Sequence, residues 1–400
     1  MKSQFDDPDA AIESLGQALK VQEQTELSDA PLGRILFDSI QADRDSPAAD
    51  VSAMDGYALR LSDIVAGEPI SFKGVSVPGV EPPISDEKLV QVFTGAIVPD
   101  GFDTVVKRED TTEATGSVTI GSETLSRLQV GENIRRAGEN ATMGSEVVAS
   151  GEIVSAAVMA CLANFGEMFP RVFCKTRVAV LTTGDEVLDP LTKKLQPWQL
   201  RNSNQACIAA MLRAYPFIDI TTVIHREDDR ESLRTTLRRV LEFNDAVVMT
   251  GGVSKGDFDY VPEVVKEIGG EIVFHGLPIR PGKPILGAAT KEGKLILGLP
   301  GNPVSATINC HRFLMPLLRR QSGQSRWQAR PGLALLDAPP RKKLPLHAML
   351  LVRSSGAGSA ALVPSKGSGD LVALGQSDGY VCVPPGQQST GPWPYYPWLC

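Results

Sequence analysis

The 400-residue sequence lacks several features that would place it in a broad class of protein at once. No stretch approaches the ~18 consecutive apolar residues of a membrane-spanning helix, so we expect no membrane association. The first residues, MKSQFDDPDA, have neither the basic region nor the apolar run of a signal peptide, and we therefore expect a cytoplasmic location. The six cysteines include no Cys-x-x-Cys pair, which argues against a zinc module and a disulfide framework.

Positive charge is also in short supply. Forty basic residues stand against forty-seven acidic ones, and the net charge of −7 argues against a surface built for nucleic acid. There is no G-x-G-x-x-G dinucleotide fingerprint and no Walker lysine loop. An anionic ligand must therefore be bound by groups that the fold gathers locally.

The order of the apolar patterns predicts a multidomain protein of mixed α/β and β structure. Helical spacing around residues 12–19 and 32–36 predicts two packing helices near the start, and IVSAAVMACLANF predicts a buried helix beside them. The four expected parts are a discontinuous helical linking domain over 1–45 plus 141–173, a β-rich insert over 46–140, an α/β domain with a parallel sheet over 174–325, and a small C-terminal β-barrel over 330–400.

Acidic side chains follow two predicted strands of the α/β domain. Asp185 and Glu186 lie in TTGDEV, and Asp228 follows ITTVIHR. Loops at the carboxyl ends of parallel strands meet at one edge of the sheet, and carboxylate oxygens suit Mg²⁺. Two structural alternatives stay open, a Gly-Asp turn and a helix cap in which Asp228 stands three residues before Glu231.

Polar residues also stand where two helices of this domain are predicted to begin. In NSN, any of Asn202, Ser203 and Asn204 could cap the following helix. In LGLPGNPVSA, Asn302 is a natural N-cap, and Ser305 lies in the first turn of a helix whose free N–H groups would attract phosphate.

A glycine-rich loop and a basic turn complete the candidate anion site. Glycines let the backbone approach a ligand and point successive N–H groups at anionic oxygens. MTGGVSKGDFDY offers Gly251, Gly252 and Gly256, with donors at Ser254 and Lys255 and carboxylates at Asp257 and Asp259. RPGKP adds the cations Arg280 and Lys283.

Eight short strings in a fixed order carry a resemblance to a known family. They are SAMDGYAL, TGAIVPDGFDTVVKRED, IRRAGEN, LTTGDEV, NSN, TGGVSKGDFDY, RPGKP and LPGNPVSA. Together they closely resemble the MoeA family, the molybdopterin molybdenumtransferases, which also includes the E domain of gephyrin. The likeness runs from about residue 10 to 320 and continues more weakly to about 386.

The resemblance implies a fold, a reaction and partners. The subunit is expected to have four parts, with an α/β domain similar to the MogA/MoaB fold, and to form a homodimer. The implied reaction inserts molybdenum from molybdate into adenylylated molybdopterin, releases AMP and depends on Mg²⁺. Other enzymes of molybdenum-cofactor synthesis are further candidate partners, whereas nucleic acid and membranes are not expected.

The resemblance also implies residue roles, which transfer position by position. The expected metal ligands are Glu186, Asp228 and Asp259. The expected catalytic residues are Asp228, Asp55, Thr94 and Ser254, of which Asp55 and Thr94 would reach the α/β domain of the other subunit. The expected substrate-binding residues are Gly251, Gly252, Asn204, Arg135, Asn302, Arg280, Lys283, Pro284 and Ser305, with the molybdate pocket formed by Arg280, Lys283, Pro284 and Ser305.

Two positions depart from the pattern of the family. Asn140 replaces an acid, and residues 346–348 lack an arginine that members commonly carry, for which Lys342 or Lys343 could substitute. These departures keep open an inactive or altered paralogue that binds molybdopterin or nucleotide. A second alternative, an enzyme similar to a molybdopterin adenylyltransferase, stays open because the phosphate loops are generic.

Overall fold

The computed structural model describes residues 5–84, 86–254 and 259–398. Lys255, Gly256 and Asp257 of the glycine-rich loop lie outside the described residues. The contacts divide the chain into two compact units, one formed by residues up to 38, 150–157 and from 169 onward, the other by 39–149 and 158–168. The four-part division expected from the sequence is finer than this and stays a prediction.

The described helices and strands are numbered along the chain. The helices are α1 (Pro8–Ala18), α2 (Ser122–Arg127), α3 (Ala156–Asn164), α4 (Ser203–Arg213), α5 (Arg230–Phe243), α6 (Val261–Glu267), α7 (Pro303–Asn309), α8 (Met315–Gln321) and α9 (Leu371–Gly375). The strands before residue 150 are β1 (Thr25–Leu27), β2 (Ile40–Gln41), β3 (Val51–Ser52), β4 (Gly56–Leu59), β5 (Pro69–Ser71), β6 (Val75–Ser76), β7 (Leu89–Val92), β8 (Thr104–Lys107), β9 (Thr111–Ala114), β10 (Ser117–Ile120), β11 (Ile134–Arg135) and β12 (Glu146–Val148). The later strands are β13 (Arg171–Phe173), β14 (Thr176–Thr183), β15 (Val187–Leu188), β16 (Leu200–Arg201), β17 (Ile218–Arg226), β18 (Ala246–Thr250), β19 (Glu271–His275), β20 (Ile279–Arg280), β21 (Leu286–Ala289), β22 (Leu295–Leu299), β23 (Gly332–Leu336), β24 (His347–Gly356), β25 (Ser359–Leu362), β26 (Gly379–Val383) and β27 (Trp393–Pro397).

The larger unit contains the predicted α/β sheet. Its strand order is β17-β14-β18-β22-β21-β19, in which the first four strands are parallel and β21 pairs antiparallel with both β22 and β19. Alternate residues of the central strands pack on opposite faces, against α1, α4 and α7 on one side and α5 and α6 on the other. This two-sided burial explains why β14, β18 and β22 read as continuous apolar runs.

The barrel expected at the end of the chain is confirmed. Strands β24, β25, β23, β27 and β26 follow one another, and β26 pairs back with β24 to close the ring. Strand β20 of the α/β domain adds to its edge, because Ile279 and Arg280 pair in parallel with His347 and Ala348. The cationic turn after β20 therefore begins directly beside the barrel.

The N-terminal region differs from the expectation of two packing helices. Helix α1 forms, but it packs on α8, β19 and β21 of the α/β domain. The helix expected at residues 32–36 is wrong, since Ile35 and Leu36 form single β-bridges with Ile153 and Val172. Adjacent residues bury their side chains here because the backbone bonds to two neighbouring segments, which leaves no room for helical hydrogen bonds.

The Ala-rich segment forms helix α3, although the expected burial is wrong. Only Leu162 is buried among its described residues. The small side chains of this helix offer little volume to a core, so its apolar composition does not by itself indicate burial.

The second unit is built from short strands, as the β-rich insert predicted. It holds a four-stranded sheet, β6-β7-β4-β8, and a three-stranded sheet, β5-β10-β9. Buried Tyr57, Leu59 and Ile120 belong to one core cluster of this unit.

No helix among the described residues combines the length and apolarity needed to cross a bilayer.

Candidate active site

Two neighbouring strands bring the predicted acidic loops together. Strands β14 and β17 run in parallel, and their last residues, Thr183 and Arg226, are paired. Beyond them, the backbone N–H of Asp228 donates a hydrogen bond of 3.0 Å to Asp185 Oδ1. The two loops are therefore held at one edge of the sheet, as the sequence predicted.

The environment of Asp228 favours its protonated form. Burial raises the pKa of Asp228, and the nearby carboxylates of Asp185, Glu186 and Asp259 raise it further. Such crowding of negative charge would be relieved either by a proton or by a cation. A carboxylate with a raised pKa is also better matched to proton transfer near neutral pH.

Asp228 does not cap the following helix. Asp229 stands at the N-cap of α5, and its Oδ1 accepts a hydrogen bond of 2.7 Å from the backbone N–H of Ser232. The capping alternative for Asp228 is therefore wrong by one residue. Asp228 and Asp229 divide the two tasks, so substitutions at these neighbours separate helix stability from the chemistry of the site.

The NSN segment connects two of the loops. Asn202 is the cap of α4 and accepts a 3.0 Å hydrogen bond from the Gln205 N–H. Asn204 instead reaches outward, and its Nδ2 donates a 2.7 Å hydrogen bond to the carbonyl of Gly301. Asn204 thus fixes the loop before α7, while its own Oδ1 is buried without a described partner.

The glycine-rich loop lies against the same structure. Gly251 has φ +93°, and a Cβ there would lie 2.6 Å from Thr183 Oγ1, so both its conformation and the space require glycine. A Cβ at Gly301 would lie 3.8 Å from the Cα of Gly251. Gly252 accepts a 3.1 Å hydrogen bond from the Val261 N–H, and Ser254 is exposed nearby in sequence.

The predicted molybdate-pocket residues line one large cavity between the α/β domain and the barrel. Its volume is about 1320 Å³. Arg280, Lys283, Pro284, Asn302 and Ser305 all belong to its wall. Since Asn302 directly follows Gly301, the cavity adjoins the loops that carry Gly251 and Asn204.

The start of α7 is arranged differently from the expected open anion site. Asn302 stands at the N-cap, but its side chain forms no capping hydrogen bond with a described residue and instead lines the cavity. Pro303 has no N–H, and the Val304 N–H donates a 3.0 Å hydrogen bond to the carbonyl of Ser368 in the barrel. The barrel thus uses a backbone donor that the sequence had assigned to phosphate.

Comparison with known proteins places this arrangement in a family. Residues 7–166 match the MoeA N-terminal region (domain I and II), and residues 179–320 match the probable molybdopterin binding domain. A molybdopterin molybdenumtransferase of Nostoc sp. is 34% identical over 79% of this chain and 74% of its own length. The corresponding protein of Synechococcus elongatus is 31% identical over 88% of each chain.

This chain belongs to the MoeA family. The curated relatives carry the name of a transferase, so the family is one of enzymes. The crystal structure of the molybdopterin biosynthesis moeA protein from Pyrococcus horikoshii OT3 has a TM-score of 0.79 and covers 97% of this chain and 98% of its own, at 24% identity, which supports the fold. A second structure of the Pyrococcus protein has a TM-score of 0.71, 27% identity and 98% coverage of both chains.

In this MoeA protein, Asp55 and Thr94 meet within the second unit. Asp55 precedes β4 and Thr94 follows β7, and the antiparallel pairing of these strands brings the two positions together. Asp55 Oδ1 accepts hydrogen bonds from the Thr94 N–H at 2.7 Å and from its hydroxyl at 2.8 Å. These bonds lower the pKa of Asp55, so its carboxylate stays ionised.

Arg135 is held by the residues that follow it. Its guanidinium donates to Glu139 Oε1 at 2.5 Å and to Asn140 Oδ1 at 3.0 Å. Asn140, the amide that replaces an acid of the family pattern, thus still accepts a hydrogen bond from Arg135. The bond from Arg135, followed by that from the Arg136 N–H, lowers the pKa of Glu139.

The sequence interpretation missed cavity residues on the barrel. Arg341, Lys366 and Ser368 line the cavity, and so does Lys342, whereas Lys343 is absent from its described lining. Leu346 and Ala348 also line it, so the segment where an arginine was expected presents apolar side chains. The basic run RKK and the Gly/Ser-rich SKGSGD were the available signals, but only the fold shows which of them face the cavity.

The acidic loops do not form a complete metal cage. Among the described residues, no three carboxylate, imidazole or thiol groups are arranged to hold a metal ion. Mg²⁺ usually takes one or two protein carboxylates and completes its shell with water and substrate phosphates. The described residues of the acidic edge therefore offer at most part of the coordination shell of such an ion.

Proposed function

We propose that this MoeA-family enzyme inserts molybdenum from molybdate into adenylylated molybdopterin and releases AMP. The observation that carries the proposal is the connection between the acidic edge and the cationic cavity. The Gly251 loop borders Thr183 on one side and Gly301 on the other, and Gly301 leads into Asn302 in the cavity wall. The carboxylates would thus act at the phosphoanhydride, while the cations of the adjoining cavity would hold molybdate.

The reaction requires cleavage of a phosphoanhydride bond. Negative charge grows on phosphate oxygens in the transition state, and fixed donors lower its energy. Backbone groups around Gly251 and Gly252 and the Ser254 hydroxyl would bind these oxygens. Asp228, whose pKa is raised by burial and by neighbouring acids, would take a proton from the water that attacks the anhydride phosphorus, so that the P–O bond breaks and AMP and the molybdopterin phosphate are released.

Mg²⁺ is part of the proposal. Glu186, Asp228 and Asp259 are the carboxylates that would hold it, directly or through water. Bound there, the ion would neutralise charge on the phosphate oxygens. Asp185 accepts a hydrogen bond from the backbone N–H of Asp228 and so orients the loop that carries these carboxylates.

We also propose that the enzyme acts as a homodimer, in which Asp55 and Thr94 complete the site of the other subunit. This proposal is supported by the hydrogen-bonded pair of the Asp55 carboxylate and the Thr94 hydroxyl next to the ends of β4 and β7. Mass measurement in solution tests the dimer. Mixing a Thr94→Val protein with an Asp228→Asn protein tests the shared site, because mixed dimers would regain one intact site.

The function is tested by incubating the purified protein with adenylylated molybdopterin, molybdate and Mg²⁺ and measuring AMP. We expect release that is lost in an Asp228→Asn, Ser254→Ala double variant and kept in Asp229→Asn, a matched change at the helix cap. No release above the double variant would contradict the proposal.

Two other results would assign a different function. Adenylylation of molybdopterin from ATP would indicate an adenylyltransferase-like enzyme, for which the generic phosphate loops would also be suited. Calorimetric binding of adenylylated molybdopterin without any turnover would indicate a binding protein.

A further inference from the structure

The last residue of β14, Thr183, has a buried hydroxyl group at the acidic edge of the sheet. Only 8% of the residue is exposed, and its Oγ1 has no hydrogen-bond partner among the described residues. A buried hydroxyl without a partner costs free energy, so each such group in a folded protein calls for an explanation. A hydroxyl that the fold keeps for a ligand is one explanation.

The preceding residue, Thr182, carries the same side chain in the opposite situation. Its Oγ1 accepts a hydrogen bond of 2.7 Å from Asn202 Nδ2 and lies 3.0 Å from His225 Nδ1. Successive side chains of a strand point to opposite faces of the sheet, so Thr182 lies towards the start of α4 and Thr183 towards the loops before α5 and α6. Thr182 thus uses its hydroxyl for the fold, whereas Thr183 does not.

Two loops of the candidate site lie beside the Thr183 hydroxyl. A Cβ added to Gly251 would lie 2.6 Å from Thr183 Oγ1, so the backbone of the glycine-rich loop passes close to this oxygen. Asp228 is also near, because Thr183 partly offsets the effect of burial on the pKa of that carboxyl. Thr183 Oγ1 nevertheless stays outside ordinary hydrogen-bonding geometry with the carboxylate. The hydroxyl is therefore held next to both loops without being used by either.

A second polar atom without a described partner lies next to the other neighbour of Gly251. Asn204 Nδ2 donates its hydrogen bond to the carbonyl of Gly301, while Asn204 Oδ1 is buried and unpaired among the described residues. Gly301 in turn borders Gly251, since a Cβ added to Gly301 would lie 3.8 Å from the Cα of Gly251. Thr183 and Asn204 thus each place an unused polar atom near the same stretch of backbone.

The chemistry of this surrounding suits a phosphate oxygen at the Thr183 hydroxyl. A threonine hydroxyl has one donor that rotates towards an acceptor, and backbone N–H groups of a glycine-rich loop favour the same anionic oxygens. A hydrogen bond to an ionised oxygen is stronger than one between neutral groups, and burial strengthens it further. Such a bond would repay the cost of the unpaired hydroxyl when the ligand binds.

We propose that Thr183 is a further substrate-binding residue, whose hydroxyl donates a hydrogen bond to a phosphate oxygen of the substrate at the Gly251 loop. This inference rests on the proposed function, in which the phosphate belongs to the anhydride of adenylylated molybdopterin. Strand β14 itself then contributes to the site, together with the loop that follows it.

The test compares Thr183→Val and Thr183→Ser with Thr182→Val. Valine replaces the hydroxyl by a methyl group of nearly the same size, whereas serine keeps the hydroxyl. Thr182→Val is the matched control, because it makes the same change at a neighbouring hydroxyl that serves the fold. Two quantities are measured without molybdate, the dissociation constants for adenylylated molybdopterin and for AMP by calorimetry, and the urea midpoint of unfolding without ligand.

We expect Thr183→Val to raise the dissociation constant for adenylylated molybdopterin about tenfold, and that for AMP in the same direction, while Thr183→Ser stays within about threefold of the wild type. The urea midpoint of Thr183→Val should be unchanged or higher, because its hydroxyl loses no described partner. Thr182→Val should instead unfold at lower urea and keep its affinity within about threefold.

Unchanged affinity of Thr183→Val for adenylylated molybdopterin would overturn the inference, even if its turnover falls. A loss of affinity that is accompanied by an equal loss of stability, or that Thr183→Ser shares, would overturn it as well. Weaker binding by Thr183→Val, in a protein whose wild type binds the compound but releases no AMP with molybdate and Mg²⁺, would support the inference and contradict the proposed function.

Discussion

The backbone N–H of Val304, in the first turn of α7, donates a hydrogen bond of 3.0 Å to the carbonyl oxygen of Ser368 in the barrel. Val304 lines the cavity, as do Asn302, two residues before it, and Ser305, directly after it. The bond therefore joins the two walls of the proposed oxyanion site. Residues that hold the Ser368 segment in place should therefore change the molybdate concentration that the enzyme needs, although they do not contact the molybdate themselves.

Asp370 provides the first prediction. Asp370→Ala removes the cap of α9 and the acceptor for the Lys366 N–H, so we expect the protein to unfold at a lower urea concentration. The released segment should also raise the molybdate concentration needed for half-maximal AMP release. Asp370→Asn keeps only one of the two acceptor oxygens, so we expect it to lie between the wild type and Asp370→Ala in both measurements. Equal molybdate dependence in all three proteins would contradict this role.

Ionisation of the Asp228 carboxyl should lower the free energy of unfolding as the pH rises. Its raised pKa means that the folded state binds the proton more tightly than the unfolded state, so stability is lost as pH rises from the ordinary value of 3.8 through the raised one. Asp228→Asn lacks this ionisation. We expect urea unfolding to show the variant more stable relative to wild type at pH 7 than at pH 3.5, although its turnover is lost.

A substitution at the neighbouring residue Asp229 is the matched control for Asp228→Asn. Asp229→Ala removes the cap of α5 and should lower the free energy of unfolding by about 1 kcal/mol while most turnover remains. Parallel loss of stability and activity in Asp228→Asn, with no effect in Asp229→Ala, would return the capping role to Asp228.

The largely buried side chain of His311 should make the stability of the folded protein sensitive to acid. It follows α7, and its Nδ1 lies 3.2 Å from the hydroxyl of buried Tyr380 in the barrel. Burial, with nearby Arg319 and Arg312, lowers the pKa of His311 from 6.5 to about 4. Since the folded state disfavours the proton, stability is present above pH 6.5 and falls as the pH drops towards 4, by roughly 3 kcal/mol in full.

His311→Gln should remove that part of the acid sensitivity. Urea unfolding at pH 7 and pH 4.5 measures it, and the variant should lose less stability than the wild type between the two. An unchanged difference between the two pH values would show that His311 is not the titrating group.

Thr94 should control the ionisation of Asp55. Thr94→Val removes the hydroxyl donor but leaves the backbone N–H, so the pKa of Asp55 should rise towards 3.8, and Thr94→Ser should keep it low. Carboxylate NMR titration measures both. If the valine and serine variants titrate alike, the hydroxyl does not stabilise the carboxylate.

The strand and loop order of the α/β domain could be predicted because each signal was local. Leu233, Leu237 and Leu241 recur at helical spacing and are buried on α5 as expected. The sequence offered Asp228 as the cap, one residue before the true cap Asp229, because adjacent acids have the same propensity and only the backbone conformation distinguishes them.

Other features depended on contacts between distant segments. The helix expected at Ile35 and Leu36 failed because bridges to residues beyond 150 override a local pattern. Arg341 and Lys366 were missed for a related reason. A charged residue in a polar run is usually only solvated, and its place in a cavity follows from the closure of a barrel around it.

In the proposed function, the acidic edge and the cationic cavity act in one coupled reaction, so that AMP is released only as molybdenum is inserted. The most direct measurement is the ratio of AMP released to molybdenum incorporated, with and without molybdate, at constant adenylylated molybdopterin and Mg²⁺. We predict about one AMP per molybdenum and little AMP without molybdate. AMP release that ignores molybdate, or molybdenum insertion without AMP, would contradict the account.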